Sequence, residues 1–260
     1  MKYKFIPEEA FETIKSYWKT WDAEVRPEKY VVGISGGVDS TCVAALACKI
    51  FGKDKVIGVS LPCDGQKDMW AVDKVFDVIG IKRVTIDIGD MFNAGLNAIE
   101  NQAIEMTSAC RTNMPARLRM TMLFGIAQCV NGAVLNTCNW SETSSGWDTL
   151  FGDSAGSYAP IKDLVKTEVM ALCSWLGMPD DIAYKTPIDG LQPLTDEQSF
   201  GYTYAELDQC IRMNGDVSED VVAKIRKRYF KNRFKHEIIN LPGPVFDYPD
   251  VTKIWDNEVQ

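Results

Sequence analysis

The sequence predicts a doubly wound α/β fold in which a mostly parallel sheet carries helices on both faces. Short apolar runs typical of buried strands alternate with segments of helical periodicity, which is the pattern of parallel strands joined by crossover helices. Three turns, at residues 35–40, at 61–62 and from 137 onward, follow the ends of predicted strands. Ligands of doubly wound sheets bind at the carboxyl ends of the strands, so these turns are the expected site.

Each predicted strand is a short apolar run that a glycine, a proline or a polar turn ends. The strands are predicted at residues 29–34, 55–61, 84–88 and 133–136. Apolar residues at helical spacing predict helices at 11–21, 41–51, 69–79, 91–105, 116–130, 162–176, 204–213 and 219–232. We expect Gly95 to interrupt the fourth helix and Pro115 to begin the fifth, because proline suits a first helical turn. Residues 137–160 and 185–201 are predicted to be irregular.

The turn after the first strand has the composition of a phosphate-binding loop. It reads Gly33, Ile34, Ser35, Gly36, Gly37, Val38, Asp39 and Ser40. Its glycines let the backbone approach a phosphate, and the first N–H groups of the following helix point outward without internal partners. The carboxylate of Asp39 suits a metal ion rather than a bare anion, so the predicted ligand is a phosphate chelated with magnesium. The alternative is a tight turn of small residues; the lysine of the common nucleotide loop is absent.

Composition restricts the classes of partner. The chain has 260 residues, of which 46% are hydrophobic, enough for a sizeable core. Its formal net charge of −8 does not favour nucleic-acid binding, which needs clustered lysine and arginine. The eight cysteines are scattered without a Cys-x-x-Cys pair, which argues against a zinc cage and fits a reducing compartment. With no apolar leader or membrane span in view, we expect a cytoplasmic protein with neither nucleic-acid nor membrane partners.

Two further segments carry candidate binding groups. Arg111, Arg117 and Arg119 concentrate positive charge near one helix entrance, where they suit phosphate or carboxylate groups unless they only solvate the helix face. Glu142 follows the last predicted strand and could complete a magnesium site with Asp39, since magnesium takes one or two carboxylates besides phosphate oxygens. The alternative for this second segment is an ordinary N-terminal helix cap.

The order of these motifs resembles a known family. The chain carries Ser-Gly-Gly-Val-Asp-Ser at 35–40, Arg-Leu-Arg-Met at 117–120, Thr-Cys-Asn-Trp-Ser-Glu at 137–142, Phe-Gly-Asp at 151–153, Leu-Val-Lys-Thr-Glu-Val at 164–169 and Thr-Asp-Glu at 195–197 before Gly-Tyr-Thr-Tyr. Over residues 29–244 it resembles the ammonia-dependent NAD synthetases, which belong to the ATP pyrophosphatases. The resemblance implies an adenine-nucleotide α-hydrolase-like fold and one domain over residues 1–260.

The resemblance also implies an activity and a set of site residues. It implies ATP-dependent amidation of nicotinic acid adenine dinucleotide (deamido-NAD) by ammonia, through an acyl adenylate, with release of AMP and pyrophosphate by a homodimer. Loop residues 33–40 with Thr137 and Lys166 would bind ATP, and Asp39 and Glu142 would hold Mg²⁺. Asp39, Ser40 and Lys166 would be catalytic. Arg117, Asp153 and Lys235 would bind deamido-NAD.

The chain departs from the family pattern mainly on the acceptor side. Leu150 stands where a basic residue is usual, Ser157 where an aspartate contacts the substrate, and Phe234 where a histidine is common. The usual Pro-Ser/Thr-Ala triplet is replaced at residues 187–189. Three alternatives therefore stay open: a tRNA-thiolating enzyme, a ligase for another carboxylate, and a nucleotide-binding regulatory paralogue. The single histidine, His236, is expected to be solvated and is given no role.

Overall fold

A four-stranded, fully parallel sheet forms the centre of the computed structural model, which describes residues 3–63, 69–186 and 196–258. Its strands are β1 (Lys29–Gly33), β2 (Val56–Ser60), β3 (Lys82–Thr85) and β4 (Gly132–Leu135). Their order in the sheet is β3-β2-β1-β4. The chain therefore builds outward from β1 to one edge and then crosses to the other side of β1. The predicted parallel α/β sheet is confirmed.

Helices cover both faces of this sheet. In chain order they are α1 (Pro7–Val25), α2 (Val38–Phe51), α3 (Met69–Ile79), α4 (Gly89–Glu100), α5 (Ser108–Cys129), α6 (Trp140–Ser145), α7 (Lys166–Trp175), α8 (Asp180–Ala183), α9 (Asp196–Phe200), α10 (Tyr204–Ile211), α11 (Glu219–Asn232), α12 (Phe234–Ile238) and α13 (Val251–Asn257). Alternate residues of β1 point to opposite faces. Tyr30 and Val32 join the core under α1, α2, α3 and α7, whereas Val31 joins the core under α5. The doubly wound prediction is thus confirmed by the packing of single strand residues.

Two predictions about helix breakers are wrong. Pro115 lies inside α5 rather than at its start, because Thr107 caps that helix two turns earlier by accepting a hydrogen bond from Cys110 N. Pro115 is buried, so tertiary packing outweighs the loss of one helical N–H. Gly95 does not interrupt α4: a Cβ there would lie 3.2 Å from Met114 Sδ, so glycine allows α4 and α5 to approach closely.

Segments predicted to be irregular contain short helices. The loop after β4 contains α6, and the described part of 185–201 contains α9. The proline-rich tail also forms α13. None of the eight cysteines forms a disulfide in the described structure. Among the described residues, no helix is both long and apolar enough to cross a membrane.

The strand order places two loops at one crevice. β1 pairs in parallel with β2 on one side and with β4 on the other. The order in which the chain adds strands therefore reverses between β1 and β4. The phosphate-loop candidate leaves β1 there, and residues 136–142 leave β4. Such a switch point is where parallel sheets bind ligands.

Candidate active site

The loop between β1 and α2 has the geometry that a phosphate loop needs. Gly36 has a φ of +80°, and a Cβ there would lie 2.9 Å from Ala71 Cβ and 3.0 Å from Val72 N. Only glycine is accommodated in this left-handed position, which lies directly against α3. Gly37 precedes α2 without a side-chain cap, so the first N–H groups of this 14-residue helix remain for a ligand.

Two serine hydroxyls lie side by side in this loop. Ser35 Oγ and Ser40 Oγ are 3.2 Å apart, and Ser40 Oγ also donates to Gly37 O at 3.1 Å. Ser35 is exposed whereas Ser40 is buried. Ser35 Oγ accepts from Gly37 N at 3.3 Å, so the loop presents one exposed hydroxyl and one buried hydroxyl, both bonded within the loop.

Lys166 lies at the centre of the crevice, at the first position of α7. Its Nζ lies 2.6 Å from Asp39 Oδ2 and 2.6 Å from Glu142 Oε1, and the residue is 1% exposed. The ring of Tyr204 packs against the same ammonium, with its centroid at 5.0 Å. The structure thus brings together three predicted site residues that are contributed by α2, α6 and α7.

Asn139 links the two carboxylates and was missed by the sequence analysis. Its Oδ1 accepts from Glu142 N at 3.1 Å, and Glu142 Oε2 accepts from Asn139 N at 3.3 Å, so the two residues form a capping box on α6. Asn139 Nδ2 also donates to Asp39 Oδ1 at 2.7 Å. The Asn-x-x-Glu spacing was the available signal for the cap, but the contact with Asp39 depends on the fold.

Burial and mutual charge perturb this cluster strongly. Desolvation raises the pKa of Glu142, and the negative charge of Asp39 adds to this effect, so that the pKa is about 8. Burial alone would lower the pKa of Lys166, but the two carboxylates outweigh it, and that pKa is raised above its usual value. At neutral pH the lysine is therefore firmly cationic.

The donor set fits a magnesium ion that arrives with phosphate. Asp39 and Glu142 present carboxylate oxygens to one point, and hard oxygen ligands are what Mg²⁺ prefers. Within the described ranges, no group of three or more His, Cys, Asp or Glu side chains is arranged to hold a metal. Two carboxylates suffice only if phosphate oxygens and water complete the coordination.

The three acceptor-side residues all contact the loop at 146–153. Arg117, on the exposed side of α5, donates from Nε to Leu150 O at 3.1 Å. Asp153 Oδ1 accepts from Thr149 N at 2.7 Å. Lys235 Nζ donates to Gly146 O at 2.7 Å and to Asp148 O at 2.6 Å, and it lies 3.1 Å from Asp148 Oδ1. Thr137 is half-buried, just beyond β4.

The departures have structural roles of their own. Ser157 pairs with the edge of β4: its N donates to Val134 O at 2.8 Å, and its Oγ accepts from Val134 N at 3.2 Å. Phe234 begins α12 and is 50% exposed. His236 is not solvated as predicted, because its ring lies edge-on to Trp140 and burial lowers its pKa. Residues 187–189 lie outside the described residues.

Comparison with known proteins places this geometry in a family. The NAD synthase family model matches residues 8–239, most of the chain. The chain belongs to the NAD synthase family. It is similar to the NH₃-dependent NAD⁺ synthetase of Thermococcus sibiricus, with 39% identity over 182 residues that cover 70% of each chain. Similarity to the Pyrococcus furiosus enzyme of the same name is 31% over 242 residues, covering 88% of this chain and 93% of the relative.

A solved structure extends this similarity beyond the NAD synthetases. The structure of NMN synthetase from Francisella tularensis matches with a TM-score of 0.83 and 30% identity, covering 92% of this chain and 99% of that one. Membership of the NAD synthase family therefore makes this chain a carbon–nitrogen ligase, as the motif order predicted.

Proposed function

We propose that the chain catalyses ATP-dependent amidation of deamido-NAD by ammonia, giving NAD, AMP and pyrophosphate. The observation that carries this proposal is the buried Asp39–Lys166–Glu142 cluster beside the phosphate loop, in a chain of the NAD synthase family. Adenylation of a carboxylate places new negative charge on a leaving pyrophosphate, and groups fixed in advance around that charge are the main electrostatic need of such a step.

The phosphate loop would bind the ATP phosphates. The outward N–H groups at the start of α2 and the hydroxyl of Ser35 donate hydrogen bonds, and Lys166 supplies a fixed positive charge beside them. Mg²⁺ held by Asp39 and Glu142 would neutralise charge on the phosphates. Lys166 contacts both of these carboxylates, so the ammonium and the metal would share their oxygens.

The acceptor would lie over the loop at 146–153. Arg117 touches this loop only through Nε, so its remaining guanidinium N–H groups suit a nucleotide phosphate. Lys235 differs from Arg117 in having no N–H group left for a ligand. Its ammonium has three hydrogens, and three loop oxygens lie within 3.1 Å of it. We propose that Lys235 orders the loop and that Arg117 and Asp153 contact the acceptor. Arg117→Ala should then raise the acceptor KM far more than the ATP KM, whereas equal effects would indicate a structural role.

A second candidate acceptor is nicotinic acid mononucleotide, whose amidation gives NMN. The Francisella relative is named for that product. In addition, Ser157 is occupied by β4 and Leu150 offers only a backbone carbonyl to Arg117, so neither position supplies charge to a second nucleotide. A chain that lacks those charges should lose less binding free energy with a mononucleotide than with a dinucleotide.

One measurement separates these candidates. Pyrophosphate release is followed with ATP, Mg²⁺ and ammonium, with deamido-NAD, nicotinic acid mononucleotide, unrelated carboxylates and tRNA as acceptors in turn. The higher kcat/KM identifies the acceptor. Restoring charge with Leu150→Lys and Ser157→Asp should tighten deamido-NAD binding without changing ATP binding. Release with an unrelated carboxylate or with tRNA alone would refute both candidates, and no release with any acceptor would favour a regulatory paralogue.

We further propose that the chain is one domain that works as a cytoplasmic homodimer. The scattered spacing of the cysteines supports a reducing compartment, and the family model's span from residue 8 to 239 supports one domain. Light scattering at working concentration tests the dimer, and a monomeric mass for the active enzyme would refute it.

A further inference from the structure

Helix α10 presents two side chains to the start of α7. Tyr204 and Asp208 are four residues apart, so they lie on one face of the helix. Tyr204 lies under the ammonium of Lys166, with its ring centroid at 5.0 Å. Asp208 lies under the backbone of the same turn, and both residues are 3% exposed. Neither belongs to the phosphate loop or to residues 136–142, which directly follow β4.

The carboxylate of Asp208 joins the first turns of two helices. Its Oδ1 accepts from Ser141 Oγ at 2.5 Å, on α6, and its Oδ2 accepts from Thr167 N at 2.7 Å, on α7. Ser141 Oγ in turn accepts from Lys166 N at 2.8 Å. One buried carboxylate therefore connects the helix that carries Glu142 to the helix that carries Lys166.

This arrangement satisfies groups that the helix cannot satisfy itself. The first N–H groups of a helix have no acceptor within it, and those of Lys166 and Thr167 are bonded to Ser141 and Asp208 instead. The charge of Asp208 also lies at the positive end of the ten-residue α7, where an anion is favoured. Because the Ser141 hydroxyl donates its hydrogen to Asp208, its lone pairs can accept from Lys166 N.

We propose that Asp208 is a positioning residue, which acts through Ser141 and the α7 backbone to hold the Lys166 ammonium between Asp39 and Glu142. This inference rests on the proposed ligase function. A tilt of α7 would move Nζ away from two contacts of 2.6 Å while leaving the phosphate loop intact. Asp208 itself touches none of the reacting groups.

The test compares Asp208→Asn and Asp208→Ala with Asp22→Asn. Asp22, on α1, is the control, since its carboxylate accepts from the Tyr30 hydroxyl at 2.6 Å, on β1, rather than from α6 or α7. Changes beside a catalytic group typically cost about 10–100-fold, so we expect a kcat loss in that range for both Asp208 variants. The acceptor KM should stay within about twofold, because Arg117 and the loop at 146–153 are unchanged. Asp22→Asn should keep its kcat.

A second readout does not depend on activity. Hydrogen–deuterium exchange of the Lys166 and Thr167 amides should accelerate in Asp208→Ala and stay unchanged in Asp22→Asn. Ser141→Ala combined with Asp208→Ala should lose no more kcat than the worse single variant, since both act along one path. Unchanged amide exchange, wild-type kcat in Asp208→Ala, or an equal kcat loss in Asp22→Asn would overturn the inference. A wild-type chain without acceptor-dependent pyrophosphate release would overturn the proposed function instead, and amide exchange would still decide the link between Asp208 and α7.

Discussion

Replacing Lys166 with methionine tests the charge balance of the site. Methionine keeps much of the length of the side chain and removes its charge. Asp39 and Glu142 are then left facing each other in a buried crevice without the ammonium that lies 2.6 Å from each of them. We expect the free energy of unfolding to fall and metal ions to reverse that fall.

The size of the loss follows from the distances. At an effective dielectric constant of about 20, each pair at 2.6 Å carries about 6 kcal/mol of Coulomb attraction, much of which offsets desolvation. Breaking a buried ion pair typically costs about 3–5 kcal/mol. Glu142 has a pKa of about 8 even with the lysine present, so in the variant it takes up a proton and limits the cost. We expect a loss of about 3 kcal/mol, or about 6–12 °C in Tm.

The assay is thermal unfolding after chelation and then with Mg²⁺ or Mn²⁺. A divalent ion at 100 times its Kd stabilises a protein by about 2.7 kcal/mol, and the variant should gain more than the wild type because no ammonium competes for its carboxylates. Lys162→Met is the control, since Lys162 Nζ donates to Leu241 O at 2.9 Å rather than to a carboxylate. An unchanged Tm in Lys166→Met, or equal metal shifts in all three proteins, would refute the reasoning.

Three other predictions address separate parts of the protein. Asp39→Asn should lower turnover by at least about a hundredfold at an unchanged near-UV circular dichroism spectrum, and near-normal turnover at low Mg²⁺ would contradict its role. Gly36→Ala should cost about 2 kcal/mol or more in denaturant unfolding, because a Cβ meets Ala71 at 2.9 Å in a left-handed conformation, whereas Gly125→Ala in open space on α5 should stabilise by about 1 kcal/mol. Burial raises the pKa of Asp208 from 3.8 to about 6, so the native protein binds that proton more tightly than the unfolded chain does. Asp208 should therefore contribute a fall of about 3 kcal/mol in stability as pH rises from about 4 to 6, besides that of Asp153, whose pKa is also raised to about 6. Asp208→Asn should lack this contribution, and an equal pH dependence of the urea-unfolding free energy in both proteins would count against it.

Strand positions could be predicted because each strand is a short apolar run with a distinct end. Three strands lie within about a residue of the predicted bounds, whereas β3 lies at Lys82–Thr85 instead of 84–88. The register with β2, in which Ile57 pairs with Lys82, determines this edge strand. Its apolar residues Ile86 and Ile88 follow the strand and pack beneath α5. Periodicity detects the apolar residues but does not reveal which of them pair with a neighbour.

The candidate site could be predicted only where its residues belong to local motifs. Asp39 and Glu142 each stand in a short segment after a strand, so their convergence at one crevice follows from the parallel sheet. Asn139 reaches Asp39 across 100 positions of sequence, and Ser141 reaches Asp208 across 67. Asp208 lies mid-helix among ordinary helical residues, and no local pattern distinguishes it from a solvated carboxylate. Such links require the packing of α6, α7 and α10 to be known.

The position of Lys166 explains why metal and nucleotide should bind together. Helices α2 and α7 both begin at the crevice, and their positive ends favour anions. A lysine at the first position of α7 is repelled by the positive end of the helix dipole. The ion pairs with Asp39 and Glu142 offset this repulsion. Because the pKa of Glu142 is about 8, that carboxyl is mostly protonated at neutral pH, and the charge of Lys166 is balanced by Asp39. The cluster therefore offers nucleotide phosphates little net attraction unless further positive charge accompanies them. Mg²⁺ held by Asp39 and Glu142 would supply that charge, so metal and nucleotide are expected to bind together.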